Sequence, residues 1–199
     1  MITHTTHRRK LDADLPTTAE VEALLAKCSR RAPTGKRNRA LLAVYWRSGL
    51  RCQEGLDLAV KDIDFEAGTI TVQRGKGQKL RRVGMDSGTS ALIQQWLDAR
   101  QRLRLGPSAP LFCTLRGDPV DPSYVRHLMK RLTRKAGIGK RIHAHALRHR
   151  YAVDLVNEGA TLTTVQALLG HSSAATTSVY LSRLGSSEAV DFARSREWA

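Results

Sequence analysis

The chain is poor in aromatic residues, poor in cysteine and short of acid. Aromatics make up 5% of its 199 residues, so a core must come mostly from Leu, Ala and Val within the 41% hydrophobic content. Cys28, Cys52 and Cys113 are odd in number and lack paired metal-ligand spacing. They read as reduced thiols of a cytoplasmic protein. None of the 7 histidines sits in an H-E-x-x-H or C-x-x-C setting, so no metal site is expected. No apolar run reaches the roughly eighteen residues of a membrane-spanning helix. The opening MITHTTHRRK has no apolar stretch behind its charges, which speaks against a signal peptide. Acid is the largest deficit: 18 Asp and Glu face 33 Lys and Arg, a formal charge of +15. Such an excess predicts a polyanionic partner, most often nucleic acid.

What is present is organised as helices around one short ribbon. Residues 1–15 read as a flexible basic lead-in. Thr17 and Glu20 have capping-box spacing, and a helix to about Arg30 follows with Val21, Leu24 and Leu25 inward. The run SRRAPTGKRNR, with Lys36 and Arg37, is a basic loop, either solvated or in contact with phosphate. Residues 37–48 are expected as a second helix built on Leu41, Leu42, Val44, Tyr45 and Trp46. Gly49 ends it. Arg51 then stands at the turn into a short helix containing Glu54, as surface decoration or as a buried Arg held by its own Glu. From Val60 the period changes to two, predicting three short strands with turns near Ala67–Gly68 and Gly75–Gln78. Their inward set is Ile63, Phe65, Ile70, Val72, Leu80 and Val83. Lys76 projects from the second turn, and Lys79, Arg81 and Arg82 make this ribbon basic, suited to lie along DNA. Residues 88–104 form an amphipathic helix. Another runs from Ser123 to about Ala136, with Val125, Leu128, Met129 and Leu132 inward. Its outward cations Arg126, Lys130 and Arg134 suit a DNA backbone.

The densest stretch is HAHALRHRYAVDLVNEGATLTTVQALLGHSSAATTSVYL, residues 143–181. His145 and Arg148 are three apart and share one helix face. Gly159 and Gly170 punctuate helix ends, and Thr161 opens the helix between them. His171 follows at once, and Tyr180 lies on a further helix. The segment TLTTVQALLGHSSAATT also has the rhythm of a helix-turn-helix DNA binder.

Taken in order, GLRCQE at 49–54, GKGQKLR at 75–81, HALRH at 145–149, LLGHSS at 168–173 and TTSVY at 176–180 resemble the catalytic domain of the tyrosine recombinase (phage integrase) family. The resemblance covers residues 16–185. It implies an α+β fold, mainly α-helical, with a small three-stranded antiparallel sheet. It also implies Tyr180 as nucleophile, Arg51 and Arg148 as phosphate-clamping arginines, and His145 and His171 as active-site histidines. Lys76 takes the place of the hairpin lysine, with Lys79 as the alternative, and Glu54 that of the acid supporting the first arginine. The implied activity is site-specific recombination through a 3′-phosphotyrosyl intermediate, without metal, ATP or another cofactor. The partner is double-stranded DNA, bound by a homo-oligomer (a tetramer on paired sites), with a monomer as the alternative free state, and no membrane is involved. A separate N-terminal DNA-clamping domain is expected to be absent, and residues 186–199 are expected as a tail helix. A non-catalytic DNA-binding protein and a type IB topoisomerase are the competing readings.

Overall fold

The computed structural model describes residues 15–73 and 80–170. The lead-in, the hairpin tip with Lys76 and Lys79, the segment with His171 and Tyr180, and the tail helix therefore lie outside the described residues. The chain divides into two compact units, residues 1–151 and 152–199.

In the first unit, α1 (Thr18–Ala26) starts as the capping box requires. Thr17 Oγ1 accepts from Glu20 N–H, and the Glu20 carboxylate accepts from Thr17 N–H. The helix stops at Ala26 rather than near Arg30. Ser29 Oγ accepts from the N–H groups of Arg31 and Ala32, offering the backbone a turn in place of a helix. Helix α2 (Pro33–Arg47) begins four residues before its expected start, because Pro33 fits the first helical position, where its missing N–H costs nothing. Ala40, Leu41, Leu42, Val44 and Tyr45 are wholly buried, which makes α2 the axis of the core.

A turn at Gly49 leads to α3 (Cys52–Leu56), then a 3-10 turn (Val60–Asp62) and the sheet. Strands β1 (Ile63–Asp64), β2 (Thr69–Val72) and β3 (Arg81–Gly84) are antiparallel in the order β1-β2-β3. Register places Ile63 opposite Ile70 and Ile70 opposite Val83, so one buried row crosses the sheet. Two expected inward residues are corrected. Phe65 is 39% exposed because it follows the end of β1, and Leu80 is 68% exposed because it has the opposite parity to Val83.

Helix α4 (Ser87–Arg102) starts at Asp86, whose carboxylate accepts from Thr89 N–H. It packs on α2 through Ile93 and Trp96. Helix α5 (Pro122–Lys135) buries Val125, Leu128, Met129 and Leu132 and packs against α1 and α3. The α2–α3 junction is tight. Tyr45 Oη donates to Cys52 O at 2.9 Å, and a methyl group on Gly55 would collide with the Tyr45 ring. Helix α6 (Ala144–Asn157) follows.

In the second unit, Gly159 adopts φ +88° after α6. Helix α7 (Leu162–Leu169) starts at Thr161, whose hydroxyl accepts from Thr164 N–H, and ends at Gly170 with φ +62°. Both glycines occupy the left-handed region that lets a helix stop. No helix among the described residues is long and apolar enough to cross a membrane.

Candidate active site

The site is built around one carboxylate. Glu54 stands in the first turn of α3, three residues after Arg51, so it can fold back on the residue that opens the helix. One oxygen, Oε2, accepts from Arg51 N–H at 2.8 Å, and the other, Oε1, accepts from Arg51 Nη1 at 2.9 Å. Glu54 thus grips Arg51 at both its backbone and its side chain. The Glu, at 11% side-chain exposure, is the enclosed partner; Arg51 keeps 43%. Arg51 is therefore held by its own Glu, as one of the two expectations had it, but it is half open to solvent.

Two further arginines reach the same carboxylate. Arg81, at the start of β3, donates from Nη1 to Oε1 at 2.8 Å and from Nη2 to Oε2 at 2.7 Å. Arg148, on α6, is 1% exposed and lies 3.6 Å from Oε2, while its Nη1 donates to Gly49 O at 2.6 Å. Burial alone would raise the Glu54 pKa. The paired bonds from Arg81 and the grip on Arg51 overcome that and lower it from 4.5 to about 2. One carboxylate among three guanidinium groups leaves an excess of positive charge, which is the electrostatic setting a phosphodiester requires.

His145 stands one turn before Arg148 on α6. Its ring lies edge-to-face with His149, centroid to centroid 4.0 Å. Loss of solvent on its protein side, then the charges of Arg148, Arg51 and His143, push its pKa below 6.5 although the residue is open on its other side. A neutral imidazole is thereby favoured at neutral pH, the form that accepts a proton.

The expected DNA contacts divide. Arg82, Arg126, Lys130 and Arg134 are exposed, and Lys36 is half-buried. Arg126, Lys130 and Arg134 border a groove of about 660 Å³ between α5 and the segment leading to α6, with Arg141 on its other wall. Two residues are corrected. Arg37 is 4% exposed and turned inward, where Nη1 donates to Cys113 O at 2.9 Å and Nη2 to Tyr124 Oη. Arg81 has 9% side-chain exposure and is engaged by Glu54. Neither side chain lies on the surface where a DNA backbone would meet it.

Sequence reasoning missed the Arg81–Glu54 pair and the Arg37–Asn38–Tyr124 tie, yet both had a signal. Arg81 is two residues before the inward Val83, so strand alternation puts it on the inner face. Arg37 is four and seven residues before the buried Leu41 and Val44, on the same face of α2. Among the described residues no group of three or more His, Cys, Asp or Glu gathers as metal ligands.

The model of the phage integrase family matches residues 16–185. Tyrosine recombinase XerD of Pseudomonas putida is 39% identical over 168 residues, 81% of this chain and 55% of that protein. Tyrosine recombinase XerC of Bacillus subtilis is 35% identical over 165 residues, 81% of this chain and 54% of that protein. The chain spans about half the length of the curated relatives it matches. Among solved structures, XerA recombinase superposes with a TM-score of 0.76 at 28% identity, covering 87% of this chain and 64% of that one. The XerH site-specific recombinase bound to palindromic difH substrate, a post-cleavage complex, gives 0.73 at 30% identity, covering 89% and 53%. The catalytic domain of bacteriophage HP1 integrase, at 20% identity and a TM-score of 0.58, shares the fold, covering 84% of this chain and 86% of that one.

Proposed function

The chain belongs to the phage integrase family, and on that premise we infer that it is the catalytic domain of a site-specific DNA recombinase that cleaves and rejoins strands through a 3′-phosphotyrosyl link. The observation that carries this reading is the convergence of Arg51 and Arg148 on Glu54, with His145 one helical turn away. A phosphodiester is already anionic, and attack on phosphorus concentrates more charge on its non-bridging oxygens. Two positioned guanidinium groups stabilise that charge. They take the role that a metal ion plays in many phosphoryl-transfer enzymes.

In this mechanism Tyr180 Oη attacks the phosphorus. A phenol with a pKa of about 10 is a weak nucleophile at neutral pH and needs a base, which is His145 in its neutral form. The bond from phosphorus to the 5′-oxygen breaks, and that oxygen takes a proton from Lys76, or from Lys79. His171 donates a hydrogen bond to the phosphate. The phosphotyrosyl ester preserves the energy of the broken bond. A second 5′-hydroxyl can therefore displace Tyr180 and rejoin strands with no ATP. Double-stranded DNA is the partner, and paired sites call for a tetramer. The exposed Arg126, Lys130 and Arg134 supply a cationic face for its backbone.

Covalent trapping tests the reading. The protein is incubated with nicked suicide duplexes drawn from its host or element and run on a denaturing gel beside Tyr180→Phe. The expected result is a slow protein–DNA band that the Phe variant lacks. DNA binding with no adduct across many sites would leave a binding protein on the same fold, and relaxation of supercoils without exchange would favour a topoisomerase.

A further inference from the structure

We propose that Arg81 is a positioning residue of the strand-cleavage site: through Glu54 it fixes Arg51 and Arg148 and ties them to strand β3. This deepens the proposed function and rests on it.

Arg81 meets Glu54 fork to fork, with two bonds of 2.8 and 2.7 Å. A bidentate pair fixes the plane of a carboxylate as well as its position. That plane decides where Oε1 and Oε2 point, and they point at Arg51 Nη1, Arg51 N–H and Arg148 Nη1. Without Arg81 the carboxylate can rotate toward the half-exposed Arg51 and away from the buried Arg148. Arg81 is enclosed at 9% side-chain exposure, so it acts from behind the clamp rather than on a phosphate. Among the bonds that keep Glu54 ionised, that from Arg81 is the largest contributor.

Arg81 opens β3, opposite Val72 of β2. The Glu54–Arg81 pair joins α3 to the start of β3 across 27 residues of sequence. Strand β3 and the arginine clamp therefore share one anchor.

The test compares wild type with Arg81→Gln and Arg81→Lys, the latter keeping charge but losing the fork, each checked for folding by thermal melting. Single-turnover cleavage of suicide duplexes should slow by about 10- to 100-fold in Arg81→Gln, by analogy with the loss of outer partners that orient metal ligands. DNA affinity and its salt slope should hold, whereas a direct phosphate contact would lower the slope by about 0.9. Adding Arg81→Gln to Glu54→Gln should slow cleavage no further than Glu54→Gln alone, because both act through one carboxylate. A second readout does not depend on cleavage: side-chain NMR signals of Arg51 and Arg148 should broaden or shift in Arg81→Gln. If Arg81→Gln does not fold, Arg81→Lys carries both readouts, and its cleavage should also slow. Unchanged arginine signals, additive rate losses, a reduced salt slope or full-rate cleavage by Arg81→Lys would overturn the proposal. If wild type forms no adduct, the recombinase reading fails by itself, and the arginine signals alone decide whether Arg81 positions the clamp.

Discussion

Two groups of cations in this molecule are held in opposite ways. Around Glu54, Arg51, Arg81 and Arg148 are bound to an acid or a carbonyl, and two of the three are almost fully enclosed. On α5, Arg126, Lys130 and Arg134 stand in solvent. The enclosed group spends hydrogen bonds on orientation and gives up reach. The exposed group keeps reach and mobility and gives up geometry. A basic composition alone does not distinguish them, since both contribute equally to the +15. The contrast predicts that damage to the first group appears in rate, and damage to the second in affinity and salt dependence.

The largest effect should come from Arg148→Ala. It removes a buried guanidinium and leaves Gly49 O without that bond; on the proposed function, single-turnover cleavage should fall by about 10²- to 10³-fold. A loss confined to DNA affinity would break the contrast. Next is the stability that Glu54 provides. Its folded-state pKa, lowered from 4.5 to about 2, corresponds to a contribution on the order of 3 kcal/mol. That contribution should be complete above pH 4.5 and lost as pH falls through about 2. Urea unfolding from pH 6 to pH 2 should therefore be flatter for Glu54→Gln than for wild type, and parallel curves would remove Glu54 as the hub.

A smaller effect follows from neutralising the α5 face. Arg126→Gln, Lys130→Gln and Arg134→Gln together should lower the salt slope of DNA binding by up to about 2.7. The cleavage rate at saturating DNA should change far less. An equal loss of rate would mean that the two groups of cations are not separate in function. The smallest effect is a titration. The NMR midpoint of His145 should lie below 6.5 and rise in Arg51→Ala, since Arg51 is one of the charges that lower it. The unfolded chain takes up this proton first, so the histidine's contribution to stability declines as pH drops below 6.5. A midpoint unmoved by Arg51→Ala would separate His145 from the clamp.

Much of the helical frame was legible because its signals are local. Thr17 with Glu20 gave the first helix start, Gly159, Thr161 and Gly170 gave the limits around α7, and the stripe Val125, Leu128, Met129, Leu132 gave the inner face of α5. The Arg51–Glu54 contact was legible for the same reason, at three residues' separation. The fates of Arg37 and Arg81 were not, because their partners lie 76 and 27 residues away. Long cationic side chains were assigned by charge to the surface, while periodicity placed both on inner faces. At these positions periodicity was the better guide, since a buried carbonyl or carboxylate can satisfy a guanidinium completely. Leu80 failed in the reverse sense: its apolar character suggested burial, but its parity placed it in solvent.

The missing side chain at Gly55 has an effect on how the protein tolerates change. In a survey of random substitutions scored by cleavage, Gly55 should rank among the intolerant positions although it offers no group to the chemistry. Any larger residue must push α3, and with it Arg51 and Glu54, away from the ring of Tyr45. Such variants should still bind DNA. Their suppressors should appear at Tyr45, on a different helix, where a smaller side chain such as Leu would let α3 settle back into place.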